Sequence, residues 1–139
     1  MSARPAVRSP VFEYVYSVSP DDIDDLGHVN NLVYLRWVQD VATRHWEAVA
    51  DLDLRGRVVW VVVRHEIEYR SSALLRDRVV ARTWVEGGTR TLSDRHTELC
   101  READGTVLAR ATTSWCPLNP EDRRPLRVRD CLPPGLVGT

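Results

Sequence analysis

Between Asn31 and Ala50, apolar and aromatic side chains recur at Tyr34, Trp37, Val38, Val41, Ala42, His45, Trp46 and Val49. This i, i+3, i+4, i+7 spacing is one stripe of an amphipathic helix. Arg36, Gln39, Asp40, Thr43, Arg44 and Glu47 take the opposite face. Two tryptophans on one stripe require a broad apolar surface to cover them. The material available for that is the strand-rich remainder of the chain, so the helix must lie on a sheet.

The remainder supplies the strands. Phe12 to Val18 alternates aromatic or β-branched residues with others, and Pro20 ends it. Val58 to Val63 is an unbroken β-branched and aromatic run, the pattern of a central strand buried on both faces. It continues to Tyr69 with His65, Ile67 and Tyr69 alternating against Arg64, Glu66 and Glu68. Arg78 to Glu86 alternates again, Gly87-Gly88 turns into Arg90 to Arg101, and Ala103-Asp104-Gly105 turns into Thr106 to Cys116. Strands joined by tight turns pair antiparallel, so the order is β-α-β-β-β-β, a single α+β domain. Its expected limits are residues 11–130, between a flexible N-terminus (1–10) and a flexible C-terminal tail (131–139).

Composition narrows the classes. A chain of 139 residues buries roughly two thirds of the surface that its unfolded form exposes, enough for one core. With 43% hydrophobic and 28% charged residues it reads as globular, and no apolar run approaches the ~20 residues of a membrane span. No apolar segment follows Arg4 and Arg8 as a secretory signal requires, so the reading is of a cytoplasmic protein without a membrane partner. Cys100, Cys116 and Cys131 are odd in number and widely spaced, the pattern of neither a disulfide framework nor a zinc site. A net charge of −1 with dispersed arginines argues against a nucleic-acid partner.

Chemistry is expected just ahead of the helix, in Asp24-Asp25-Leu26-Gly27-His28-Val29-Asn30-Asn31-Leu32-Val33-Tyr34. Asn30 or Asn31 can cap the helix, whose exposed N–H groups and positive end then lie near Asp24 and would stabilise a carbonyl oxygen acquiring negative charge. The stretch resembles the active-site segment of the hotdog-fold thioesterases in two ways. Asp22, Asp24 and Gly27 match the Asp-x-Asp-x-x-Gly of the hydroxybenzoyl-CoA thioesterase group. Asp24, His28, Val29, Asn30, Asn31 and Tyr34 match the Asp-x-x-x-His-Val-Asn-Asn-x-x-Tyr of long-chain acyl-CoA and plant acyl-ACP thioesterases. Later stretches also look like the family, including Arg64 to Tyr69, Ser72-Ala73 with Asp77, Thr83-Trp84-Val85 and the Trp115 strand, so the likeness spans about Phe12 to Arg129.

The resemblance implies a hotdog fold, an acyl-CoA or acyl-ACP substrate and no cofactor or metal. It implies a homodimer or homotetramer with active sites at the subunit interface, and Trp60 and Val58 to Val63 are the candidates for the partner-facing wall. Both alignments put the catalytic carboxylate on Asp24, as general base or nucleophile. Thioester hydrolysis needs only such a carboxylate, a water and an oxyanion stabiliser. Asn31 takes the oxyanion position through its backbone N–H, and His28 orients the thioester or Asp24. Gly27, Asn30, Tyr34, Trp60 and Arg90 are the expected substrate-binding residues, Arg90 beside the pantetheine channel. Arg123, Arg124 and Arg127 form a basic tail patch suited to phosphate. Gln39 stands where many relatives carry a glutamate, and His45, His65 and His96 are read as structural.

Two other readings keep the same fold. A hotdog enoyl-CoA hydratase uses Asp-x-Asn-Pro-x-His; here His28 follows Asp24 by four positions, and both the asparagine and the proline are missing. A non-catalytic acyl-CoA or acyl-carrier binding module would keep the pocket while Asp24 does nothing.

Overall fold

A computed structural model describes residues 8–136. Strand β1 (Phe12–Ser17) leads through a long loop to helix α1 (Asn31–Val49), a short helix α2 (Leu52–Arg57), and strands β2 (Val59–Tyr69), β3 (Arg78–Gly88), β4 (Ser93–Arg101) and β5 (Val107–Leu118). The five strands form one antiparallel sheet in the order β1-β3-β4-β5-β2. Val33, Tyr34, Trp37, Val38, Val41 and Ala42 of α1 are buried and, with Val79, Ala81, Leu99, Leu108 and Ala109 of the sheet, form the core. The helix therefore lies on the sheet along the stripe read from its period.

The order of strands corrects one expectation. Val58 to Val63 is not central, because β2 pairs only with β5 and forms an edge of the sheet. Its register shifts between Val62 and Arg64, and Val59 and Val63 are 45% and 54% exposed. An unbroken β-branched run signals burial on both faces. Within one chain that burial is incomplete.

Several residues of the terminal segments pack on the domain. Ser9 is buried, its N–H donating to the Val85 carbonyl (2.8 Å) and its hydroxyl accepting from the Val85 N–H (2.8 Å). At the other end Cys131 and Leu136 are buried, and Gly135 packs so tightly on Val49 that a Cβ there would lie 2.5 Å from Val49 Cγ1. The rest of both terminal segments, 1–7 and 137–139, lies outside the described residues. Strand β4 begins at Ser93, not at Arg90, because Thr89 to Leu92 closes a turn: Thr89 N–H donates to the Leu92 carbonyl (2.8 Å). Gly88 sits at φ +125°, where a Cβ would meet the Leu92 carbonyl oxygen at 2.2 Å, so glycine is required there.

Candidate active site

The loop from β1 to α1 is held by main-chain bonds to the segment between β2 and β3. Val18 N–H donates to Asp77 O (3.0 Å) and Val29 N–H to Ala73 O (3.0 Å), and within the loop Asn30 N–H donates to Asp22 O (2.8 Å). Asp22 is the buried anchor of this loop. Its carboxylate accepts from the Ser19 N–H (2.9 Å) and the Arg36 guanidinium (2.8 Å). Burial alone would raise its pKa, but the Ser19 N–H and the Arg36 charge outweigh burial and hold it below the usual carboxylate value. The first aspartate of the motif thus fixes the loop, and the second is left free for other work.

Asp24 sits at the tip of this loop, half-buried. Its Oδ1 accepts from Leu26 N–H (2.9 Å) and His28 N–H (3.3 Å), while its own N–H donates to the His28 carbonyl (2.8 Å). Gly27 closes the turn at φ +79°, with its N–H on the Asp24 carbonyl (3.0 Å) and open space where a side chain would stand. The second carboxylate oxygen, Oδ2, makes no hydrogen bond among the described residues. Asp24 is therefore oriented by its backbone and keeps one oxygen for a water or an acyl carbon.

Asn30 is the cap of α1: its Oδ1 accepts from Leu32 N–H (2.9 Å) and its carbonyl from Val33 N–H (2.9 Å). Asn31 is the first helical residue and is exposed; its carbonyl accepts from the Tyr69 hydroxyl (3.2 Å), and its N–H has no acceptor among the described residues. A free N–H at a helix N-terminus is the donor an oxyanion needs. Asp24, Gly27, His28, Asn30 and Asn31 are thus brought together on one loop and helix end.

His28 meets Asp24 through its backbone. Its main chain fixes Asp24, whereas its imidazole is exposed and makes no hydrogen bond among the described residues. Tyr34 stands in the core, beneath the first turn of α1. It is 2% exposed, packs edge-to-face on Trp37 and Tyr69, and its hydroxyl oxygen accepts from the Ala73 N–H (2.8 Å). Tyr34→Phe should therefore cost about 1–3 kcal/mol by stranding the buried Ala73 N–H, a loss measured by urea unfolding.

The remaining candidates lie elsewhere in the chain. Ser17 pairs with Arg78, so the Asp24 loop leaves the sheet where β3 begins. The 11 residues of β3 at roughly 3.3 Å each put exposed Arg90, beyond its far end, on the order of 30 Å away. Trp60 packs on Trp46 (centroids 5.6 Å apart) and lines a cavity of about 190 Å³ between the sheet and the C-terminal half of α1. At 1.5 Å per residue, Trp46 is roughly 20 Å along α1 from its N-terminus. That cavity does not adjoin Asp24.

A seam between α1 and the edge strand β2 joins the two regions. Along it run Asn31 against Tyr69, Gln39 against His65 (3.0 Å) and Trp46 against Trp60. The other ring nitrogen of His65 lies 3.0 Å from Thr113 Oγ1. The helical glutamine and His65, unconnected in the sequence reading, are thus paired across this seam. Around the Asp24 loop, Leu26, Leu32, Leu74 and Leu75 expose apolar side chains to solvent.

One antiparallel sheet packed on one long central helix, with an aspartate loop at the helix N-terminus, defines the hotdog class. The chain belongs to the thioesterase-like superfamily, whose family model matches residues 18–132. Its fold is similar to that of YbaW, a probable thioesterase from Escherichia coli, at 21% identity, over 90% of this chain and 98% of that one, with TM-score 0.80. It is also similar to a 1,4-dihydroxy-2-naphthoyl-CoA thioesterase from Synechocystis, at 17% identity over 86% and 90% of the two chains, TM-score 0.74. The 12:0-ACP thioesterase from Umbellularia californica matches 93% of this chain over 51% of its own length, at 18% identity and TM-score 0.79. No curated protein sequence matches the chain significantly. Among the described residues no helix is long and apolar enough to cross a membrane.

Proposed function

We propose that the protein hydrolyses the thioester of an acyl-CoA or acyl-ACP, with Asp24 as general base or nucleophile and the Asn31 N–H as oxyanion donor. The observation that carries this reading is the Asp24 carboxylate, fixed by two main-chain N–H groups beside an unpartnered helix N-terminus. Asp24 Oδ2 either deprotonates a water that attacks the acyl carbon or attacks it directly to give an anhydride that water then opens. In both routes charge collects on the carbonyl oxygen, the thiolate leaves, and the free acid and thiol are released. Membership in the thioesterase-like superfamily supports the reaction class. The proteins that the chain resembles in fold bear names of both CoA and ACP thioesterases, which supports both carriers.

The reading includes a second copy of the chain. Exposed leucines surround Asp24, and β2 offers an unpaired edge with exposed Val59 and Val63. Pairing two β2 edges would satisfy the free backbone groups and wall an acyl channel at the interface.

The test is a panel of short-, long- and aromatic-chain acyl-CoA thioesters with free-thiol detection. Release of thiol from at least one class is expected. Binding of acyl-CoA without release would replace hydrolysis by the binding module, and water addition to an enoyl-CoA would replace it by the hydratase. In the same assay His28→Ala should lower turnover by less than about tenfold, because the backbone of His28, not its ring, holds Asp24. A loss as deep as that on removing the Asp24 carboxylate would make the imidazole a direct participant.

A further inference from the structure

The inner face of β4 carries Ser93, Arg95, Thr97 and Leu99, all buried beneath the helix. Arg95 is 6% exposed. The ion pairs among the described residues do not include it. Its Nη1 meets only His45 Nδ1 (2.9 Å) and Thr83 Oγ1 (3.2 Å). His45, stacked on Phe12, is held by burial at a pKa of about 4 and is uncharged near neutrality. Burial lowers Arg95 to about 10, which leaves it protonated there. Among the described residues this buried positive charge thus has no counter-ion, a costly arrangement.

Arg95 lines the cavity of about 190 Å³ with Trp46, Trp60, Trp115, Val85 and Ser93. An apolar cavity thus has a cation on its wall and, among the described residues, no anion to meet it. Water would solvate that charge without neutralising it. A carboxylate would neutralise it, in the bidentate geometry that a guanidinium favours.

We propose that this cavity binds the carboxylate of a small organic acid with an apolar body, with Arg95 as its counter-ion and the three tryptophans as its walls. The size suits a single ring: an apolar cavity of about 150 Å³ admits benzene, so this one takes benzoate. The carboxylate has two sources, a free organic acid or the distal carboxylate of an acyl group carried as a thioester. The site itself is independent of the proposed hydrolysis, since it is read by binding alone.

The probes are benzoate and its neutral isostere benzamide, titrated into the intact protein by calorimetry and tryptophan fluorescence. Benzoate should bind at least about tenfold more tightly than benzamide, since a charged partner strengthens the contact. Arg95→Met should abolish that preference, and Arg95→Lys should keep part of it through charge without the fork. If Arg95→Met fails to fold, the comparison in the unaltered protein still decides. Equal affinity for the two probes, or no benzoate binding, overturns the proposal, as does an unchanged preference in a folded Arg95→Met protein. The source is assigned by hydrolysis of acyl-CoAs of equal length with and without a terminal carboxylate. Selectivity for the carboxylated acyl group that Arg95→Met removes identifies the substrate as the source; benzoate binding with no such selectivity identifies a free acid.

Discussion

Asp24→Asn should lower turnover of an acyl-CoA by roughly 10²–10⁴-fold while the melting temperature stays close to that of the unaltered protein. The substitution separates chemistry from architecture because asparagine keeps the oxygen that matters to the loop. Oδ1 accepts from Leu26 and His28 N–H groups, and an amide oxygen accepts equally well there. What is lost is the second oxygen as base or nucleophile, since an amide NH₂ offers no lone pair to a water or an acyl carbon. Loop folding also does not depend on this charge: Asp22, through Ser19 and Arg36, and the Ala73 and Asp77 carbonyls hold the segment. Thiol release measured beside a thermal melt checks both halves. A folded Asp24→Asn protein that hydrolyses at near wild-type rate would remove Asp24 from the mechanism.

The contrast between Asp22 and Asp24 also shows what the sequence made legible. Both lie in one acidic turn, and only the motif distinguishes them; the loop's own hydrogen bonds then give them separate tasks. The long helix was readable because its stripe of aromatic and β-branched residues is unambiguous, and the observed burial of Tyr34, Trp37, Val38, Val41, Ala42 and His45 follows it. Helix α2 was not, being one short stretch with Gly56 inside and no buried residue, started only by the Asp51 side chain accepting from Leu54 N–H (2.8 Å). The position of β2 was misread for a physical reason: a continuous apolar run reports how much burial a strand needs, not whether its own chain supplies it.

Arg95 was hidden by the opposite ambiguity. On β4 the inward residues Ser93, Arg95 and Thr97 are as polar as the outward Asp94, His96 and Glu98. Alternation therefore marks a strand without telling which face is inside. The distance of Arg90 from Asp24 had no local signal: pairing of β1 with β3 places its turn at the far end of the sheet from Asp24, and register is a long-range property that turn residues do not encode. Likewise, periodicity assigned Gln39 to a polar face, but its partner His65 came from a strand whose place in the sheet was itself misread.

Placing lysines on the exposed edge, Val59→Lys with Val63→Lys, should give a folded monomer whose kcat/KM for long acyl-CoAs falls by more than roughly 100-fold. The monomer tolerates the change because both side chains face solvent in a single chain, where surface substitutions usually cost within about 0.5 kcal/mol. The assembly does not, since two paired β2 edges would bring like charges together and edge lysines oppose pairing. The activity follows from the channel. On the proposed reading one chain supplies Asp24 and the helix end, and the partner completes the wall along the acyl chain. Four methylenes left in water at about 0.8 kcal/mol each amount to about 3 kcal/mol, or more than a hundredfold in the specificity constant. Shorter acyl groups should lose less, which distinguishes a missing wall from a damaged acid. Sedimentation gives the mass, circular dichroism the fold, and a chain-length series the loss. A monomer that retains full activity on long substrates would place the whole site within one chain and end the interface model.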